Sequence, residues 1–169
     1  MLQMPEIIPE IVIADTSCLI ALENINGLDL LWRLYRSVMI TPEVAEEFGH
    51  PLPDWIVVQN VSDREKLVAL NNVLDLGEAS ALALALEHRD CLLLLDDLKG
   101  RKIAEEWNIR YTGVLGILVK AKRARLIPEI KPMLERLLKT NFRISPVIVA
   151  EALKIAGECP SLAFPAIFG

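Results

Sequence analysis

Short, uninterrupted apolar runs that alternate with segments of helical spacing constrain the fold of this 169-residue chain most strongly. Such runs, without polar alternation, are typical of strands buried on both faces of a parallel sheet. Because a helical segment follows each run, the order indicates strand–helix–strand units. The sequence therefore predicts an α/β fold with a mostly parallel central sheet flanked by helices. The predicted strands span residues 11–14, 38–40, 55–59, 91–95 and 109–111.

The helix signals agree with this plan. Thr41, Pro42 and Glu43 supply an N-cap, a first-position proline and a first-turn acid, which together mark a helix start. Gly77 introduces a long helix rich in Ala and Leu, with Glu78 in its first turn. The predicted helices span residues 18–22, 28–36, 42–49, 63–71, 78–89, 99–107, 114–122, 132–139 and 146–156. At this length we expect one domain over residues 1–157 and a C-terminal tail over residues 158–169.

Composition excludes several classes of protein. With 53% hydrophobic and 24% charged residues, the chain is neither disordered nor collagen-like nor a coiled coil. Its three widely spaced cysteines and two histidines form neither a disulfide framework nor a zinc motif, so a reducing cytoplasm is expected. No apolar stretch approaches the ~18 residues of a membrane span, and we expect no signal peptide at residues 1–10.

The formal net charge of −5 hides an asymmetry along the chain. Residues 1–98 contain 5 Lys or Arg and 17 Asp or Glu, whereas residues 99–143 contain 12 and 4. This pattern is compatible with a cation site beside an anion-binding surface. Two solvated faces of opposite charge would give the same pattern.

Carboxylates follow two of the predicted buried strands. Asp15 comes directly after residues 11–14, and Asp96 and Asp97 follow the run at 91–95. Ligands of open α/β sheets bind beyond the carboxyl ends of the strands, so these acids would face a shared cleft. Converging carboxylates repel one another, and Mg²⁺ or Mn²⁺, which prefer oxygen ligands, would remove that repulsion. Further acids that would join them are Glu43, Glu46, Glu47 and Glu78.

Each acid also has a structural explanation when it is taken alone. Asp15 and Asp97 would serve as helix N-caps. Glu43 and Glu78 would interact favourably with helix dipoles, and Glu46 would face solvent. Only the joint order and placement of these acids indicate a cation site.

Together these segments resemble a PIN domain, the fold of VapC-type toxins and related ribonucleases. The resemblance covers roughly residues 10–157, and it is nearest to a prokaryotic PIN subfamily first described as a domain of unknown function. It is carried by the segments IVIADTS (11–17), TPEVAEEF (41–48), LGEASA (76–81), LLLLDD (92–97), RKIA (101–104) and YTGVLGIL (111–118).

The resemblance implies an α/β/α sandwich with an acidic metal site. The catalytic and metal-ligating positions would be, in chain order, Asp15, Glu47, Glu78 and Asp96, with Asp97 as neighbour or substitute of the last. Thr16 or Ser17 matches the hydroxyl residue that supports the metal or phosphate. The implied reaction is Mg²⁺- or Mn²⁺-dependent hydrolysis of single-stranded RNA within the strand, which leaves 5′-phosphate and 3′-hydroxyl ends.

The sequence departs from the family pattern at two positions. Leu94 stands where many members have Thr or Ser, two residues before the fourth acid. Glu78 stands where Asp is common in other branches. Both departures bear on catalytic competence more than on the fold.

Lys99, Arg101 and Lys102 follow the acids directly and are the predicted RNA-binding residues. Lys and Arg contacts to phosphate provide affinity that does not depend on base sequence. Favourable charge at helix C-termini and solubility would explain the same basic stretch. By analogy with toxin relatives, surplus apolar surface at 113–119 or 28–35 would serve a homodimer or an antitoxin segment.

The leading hypothesis is a PIN-type ribonuclease, the toxin of a toxin–antitoxin pair. A second hypothesis is a catalytically inactive, Mg²⁺-binding PIN-like interaction module. A third is a phosphatase that uses Asp15 as its nucleophile.

Overall fold

The computed structural model describes residues 11–160, and every structural statement below concerns these residues. Its strands are β1 (Ile11–Ala14), β2 (Val38–Ile40), β3 (Ile56–Val58), β4 (Cys91–Leu94) and β5 (Arg110–Thr112). They form one parallel sheet in the order β3-β2-β1-β4-β5. The prediction of a parallel α/β sheet is confirmed, and each strand lies within two residues of its predicted bounds.

The helices occupy the intervals between and after the strands. They are α1 (Thr16–Asn24), α2 (Asp29–Tyr35), α3 (Pro42–Phe48), α4 (Arg64–Asn71), α5 (Leu76–Leu86), α6 (Leu98–Glu106), α7 (Val114–Arg123), α8 (Lys131–Leu138) and α9 (Pro146–Ile155). The predicted start of α5 was wrong by two residues, because Asp75 caps this helix and Gly77 lies inside it.

Two hydrophobic cores cover the two faces of the sheet. Along β1, Val12 and Ala14 pack into the first core, which also contains side chains of α1, α2, α3, α7, α8 and α9. Ile13 packs into the second core with side chains of α4, α5 and α6. The uninterrupted apolar runs are therefore buried on both faces, as predicted, and the molecule is an α/β/α sandwich.

The strand order creates a switch point at the middle of the sheet. The chain passes from β1 to β2 on one side and later returns to β4 on the other side of β1. The two strands stay paired to their ends, where the Asp15 N–H donates to the Leu94 carbonyl oxygen at 3.1 Å. In open α/β sheets such a crevice, outside the carboxyl ends of diverging strands, is where ligands bind.

Glu158, the first residue of the predicted tail, is tied to the domain. Its carboxylate accepts hydrogen bonds from Lys122 Nζ at 3.0 Å, from Ile130 N at 2.9 Å and from Lys131 N at 3.2 Å. The end of α9 is thereby held against the α7–α8 connection. The predictions for residues 1–10 and for the tail after Pro160 fall outside the described residues. Within them, no helix has the length and apolar character needed to cross a membrane.

Candidate functional site

Asp15 lies at the β1–β4 switch point and is fully buried, with 0% of its surface exposed. Its Oδ1 accepts a hydrogen bond from Cys18 N at 2.8 Å, so it caps α1. Its Oδ2 is also buried, and no group in residues 11–160 donates a hydrogen bond to it. Burial raises the pKa of Asp15 well above its usual value, and the charges of Asp96, Glu78 and Asp75 raise it further. The site therefore contains an unsatisfied acidic oxygen surrounded by other acids.

Thr16 and Glu47 join α1 to α3 beside this carboxylate. The Thr16 hydroxyl donates to Glu47 Oε2 at 2.7 Å, and Glu47 is otherwise exposed. Gly77 of α5 lies against the pair, since a Cβ at this position would stand 2.6 Å from Thr16 Oγ1 and closer still to Glu47 Oε2. A larger residue there would push the Glu47 carboxylate and the Thr16 hydroxyl aside. Glu47 is thus placed next to the first turn of α5, and it contacts Thr16.

Asp96 is half-buried beyond the end of β4 and has two partners. Its Oδ2 accepts from Val114 N at 3.1 Å, and its Oδ1 accepts from Arg101 Nη2 at 3.2 Å. Arg101 also donates from Nε to the Leu95 carbonyl oxygen at 2.9 Å. Burial raises the pKa of Asp96, although the Val114 N–H and the Arg101 guanidinium lower it. A Cβ on Gly113 would overlap Asp96 Oδ1 and Arg101 Nη2, so those side-chain ends would have to move.

Glu78 is half-buried in the first turn of α5, as predicted. Burial and the nearby charges of Asp75 and Asp97 raise the pKa of Glu78 to about 7. Asp75 accepts a hydrogen bond from Glu78 N at 2.9 Å and caps α5. Asp97 accepts from Gly100 N at 2.8 Å and caps α6. Asp97 therefore has the structural role that its position alone predicts, and its role as a metal ligand stays a prediction.

A cleft of about 790 Å³ opens at the carboxyl edge of the sheet, and Asp15 and Glu47 are not among its lining residues. Glu78, Asp96 and Asp97 line it, together with Ser17 and the α8–α9 connection. Its further lining residues include Leu98, Arg101, Tyr111, Gly113, Leu115, Asn141, Phe142, Arg143, Ile144, Ser145 and Ile148. A smaller cavity of about 450 Å³ lies between α7 and α9 and shares Leu115, Gly116 and Ile148 with the cleft.

A family model described as the PIN domain matches residues 11–158. The chain belongs to the PIN-domain family. PIN domains are in general nucleases, which are hydrolases, and they generally use divalent metal ions. The family and the sandwich fold predicted from the sequence are both confirmed. No curated protein and no solved structure shows a significant match to this PIN domain.

The donor chemistry of this PIN domain suits a hard divalent cation. The acids offer oxygen ligands only, and Asp15 Oδ2 lacks a partner among the described residues. Within residues 11–160, however, no three His, Cys, Asp or Glu side chains are grouped closely enough to hold a metal ion. Asp15, Glu47, Glu78 and Asp96 are the residues that would hold one.

The predicted RNA-binding residues are not brought together as a group. Arg101 lines the cleft but is engaged by Asp96, and Lys99 and Lys102 are exposed on α6 outside the cleft lining. Conversely, sequence reasoning missed Asp75. The spacing of Asp75 and Glu78 is that of a capping box, and this signal marks both the start of α5 and a further acid beside the site.

Proposed function

We propose that this protein is a metal-dependent endoribonuclease that hydrolyses the phosphodiesters of single-stranded RNA. Mg²⁺ or Mn²⁺ is the proposed cofactor, and the proposed site acids are Asp15, Glu47, Glu78 and Asp96. One observation carries the proposal: the buried Oδ2 of Asp15 has no hydrogen-bond donor among residues 11–160, and it lies at the switch point near the charges of Asp96 and Glu78. Such an arrangement is costly for a folded protein unless a cation compensates it.

Each residue has a distinct part in this proposal. When bound, a divalent cation supplies positive charge for the phosphodiester and lowers the pKa of an attacking water. The Cys18 N–H fixes Asp15 Oδ1, so Oδ2 is the oxygen left for a cation. In the metal-free protein, burial and the charges of Asp75 and Asp97 raise the pKa of Glu78 to about 7, and a bound cation would favour the charged carboxylate instead.

The geometry supports a nuclease better than an aspartate-nucleophile phosphatase. A nucleophilic Asp15 would need an oxygen that reaches a phosphorus atom, yet the whole side chain is buried and one oxygen caps α1. A buried carboxylate that ligates an ion does not need to touch the substrate. An inactive Mg²⁺-binding module shares the same acids, so only an assay of cleavage separates it from the nuclease.

The deciding experiment compares RNA cleavage by the wild type and Asp15→Asn, with Mn²⁺ and with EDTA. We expect Mn²⁺-dependent cleavage by the wild type only, and thermal stabilisation by Mn²⁺ only in the wild type. Asp63→Asn is a matched control, because Asp63 caps α4 in the same way, with Lys66 N at 3.0 Å, on the exposed surface. Cleavage by Asp15→Asn at the wild-type rate would refute the proposed site, and Mn²⁺ binding without cleavage would favour the inactive module.

We further infer that the protein is a cytoplasmic toxin that forms a homodimer and is inhibited by an antitoxin. The resemblance to VapC-type proteins supports this role, and the apolar cavity between α7 and α9, with Ile148 and Ile155 half-exposed, supports a protein partner. The three free cysteines are consistent with a reducing compartment. The toxin role predicts growth arrest on expression, and the antitoxin predicts relief of that arrest by a co-expressed neighbouring gene. The molecular mass in solution tests the homodimer.

A further inference from the structure

The connection between α8 and α9 forms a polar wall of the acidic cleft. Residues 141–145 all line the cleft. Phe142 and Ile144 are half-buried and pack against the first core, whereas Asn141, Arg143 and Ser145 are exposed. Because the two apolar side chains anchor the segment, Arg143 between them is held at the cleft surface. Ser145 fixes the end of the segment, since its Oγ accepts from Ile148 N at 3.3 Å as the cap of α9.

The charge of the cleft indicates which of these side chains matters for a nucleic acid. Glu78, Asp96 and Asp97 repel a phosphate backbone, so a strand in this cleft needs a cation beside it. Arg101 lines the cleft, but Asp96 Oδ1 and the Leu95 carbonyl oxygen already accept its hydrogen bonds.

Arg143 is the other cation of the cleft lining. It makes no ion pair within residues 11–160, where the ion pairs are Arg64–Glu43, Arg101–Asp96 and Lys122–Glu158. Its guanidinium group is thus available to a ligand in the cleft.

We infer that Arg143 binds a backbone phosphate of the RNA strand and positions that strand against the acids; this assignment depends on the proposed ribonuclease function. A guanidinium group is a planar fork of donors that matches two phosphate oxygens, and it stays charged at all relevant pH values. A phosphate contact carries no base information. Arg143 therefore contributes binding affinity and fixes the position of the strand along the cleft. Its contribution to affinity is the same for RNA and for DNA of equal length.

The test measures binding and turnover separately. Fluorescence anisotropy in EDTA gives the affinity of a labelled single-stranded RNA, and of single-stranded DNA with the same sequence, for wild type, Arg143→Gln, Arg143→Lys and Lys154→Gln. We expect Arg143→Gln to bind both strands about tenfold more weakly and to reduce the slope of log affinity against log salt by about 0.7. Arg143→Lys should recover part of the loss. Lys154→Gln, which removes an equal charge from the exposed surface of α9 outside the cleft lining, should change affinity less than about twofold.

Cleavage in Mn²⁺ provides the second measurement. Arg143→Gln should raise KM for RNA about as much as it weakens binding, with kcat changed less, and its thermal midpoint should equal that of the wild type. Wild-type affinity in Arg143→Gln would overturn the inference while leaving the nuclease proposal intact. Loss of binding to RNA but not to DNA would also overturn it, because the contact would then not be to phosphate.

The two proposals fail in distinguishable ways. A wild type that binds RNA through Arg143 but cleaves nothing would refute the ribonuclease and leave Arg143 as a nucleic-acid-binding residue. A wild type that binds neither strand, in EDTA or in Mn²⁺, would overturn the assignment of Arg143.

Discussion

The raised pKa of Glu78 makes the stability of the metal-free protein depend on pH. The folded protein holds the Glu78 proton more tightly than the unfolded chain does, since the pKa rises from 4.5 to about 7 on folding. The stabilisation from this proton is complete below pH 4.5 and is lost as the pH rises through about 7. The free energy of unfolding in EDTA should therefore fall across this interval.

The size of the effect follows from the two pKa values. A difference of about 2.5 pH units corresponds to about 3.4 kcal/mol at 1.36 kcal/mol per unit. Because Glu78 is only half-buried, solvent screening reduces this to about 1–2 kcal/mol. Glu78→Gln removes the titrating carboxyl. Between pH 5 and 8 the free energy of unfolding of this variant should therefore fall by about 1–2 kcal/mol less than that of the wild type. Asp15 and Asp96 also have raised pKa values, so part of the decline should remain.

Urea unfolding in EDTA, followed by tryptophan fluorescence at pH 5, 6, 7 and 8, measures this difference. Glu65→Gln is the matched control, because Glu65 is an exposed acid in the first turn of the neighbouring helix α4. Glu65→Gln removes a similar helix-dipole interaction at an exposed carboxylate, so it shows the effect of that loss alone. The assignment of the pH dependence to Glu78 would be refuted if the free energy of unfolding fell equally with pH in Glu78→Gln and the wild type. It would also be refuted if Glu65→Gln reduced that fall as much as Glu78→Gln does.

Three further substitutions test the contacts that shape the site and hold the domain together. Gly113→Ala should lower kcat for RNA cleavage at least about tenfold while the circular dichroism spectrum is retained, because the added Cβ displaces Asp96 and Arg101; unchanged kcat would contradict this. Gly77→Ala should break the Thr16–Glu47 hydrogen bond and lower the free energy of unfolding in urea by about 1–3 kcal/mol; a neutral effect would show that the three residues can move apart freely. Glu158→Ala should cost about 1–3 kcal/mol in the same titration, because Ile130 N and Lys131 N lose their acceptor. Glu151→Ala, at an exposed glutamate of α9, should cost less than about 0.5 kcal/mol, and equal losses would contradict a specific role of Glu158.

The parts of the site that follow buried strands could be predicted because they depend on local sequence. Asp15 follows the apolar run of β1, and Asp96 follows that of β4, so parallel pairing alone brings them to one edge. The first-turn position of Glu78 was likewise readable from Gly77 and the Ala-rich helix after it. Such features require only the identity of the strands and the direction of the chain.

The remaining contacts depend on packing between segments that are distant in the sequence. Arg101 was predicted to contact RNA, and its pairing with Asp96 depends on how α6 leaves the sheet. The side chains of Asp96 and Arg101 occupy the space beside Gly113. No local sequence pattern predicts that contact. The connection at residues 141–145 reaches the cleft only because Phe142 and Ile144 are anchored in the first core.

The strand order also determines when the acidic edge is completed during synthesis. Asp15 sits on the central strand and emerges early, but its neighbour in the sheet is β4, which is translated after β2 and β3. A nascent chain that has produced three strands therefore carries half of the carboxylates and lacks Asp96. The acids that follow β1 and β4 therefore meet at one edge of the sheet only after the fourth strand has left the exit tunnel and paired with the first.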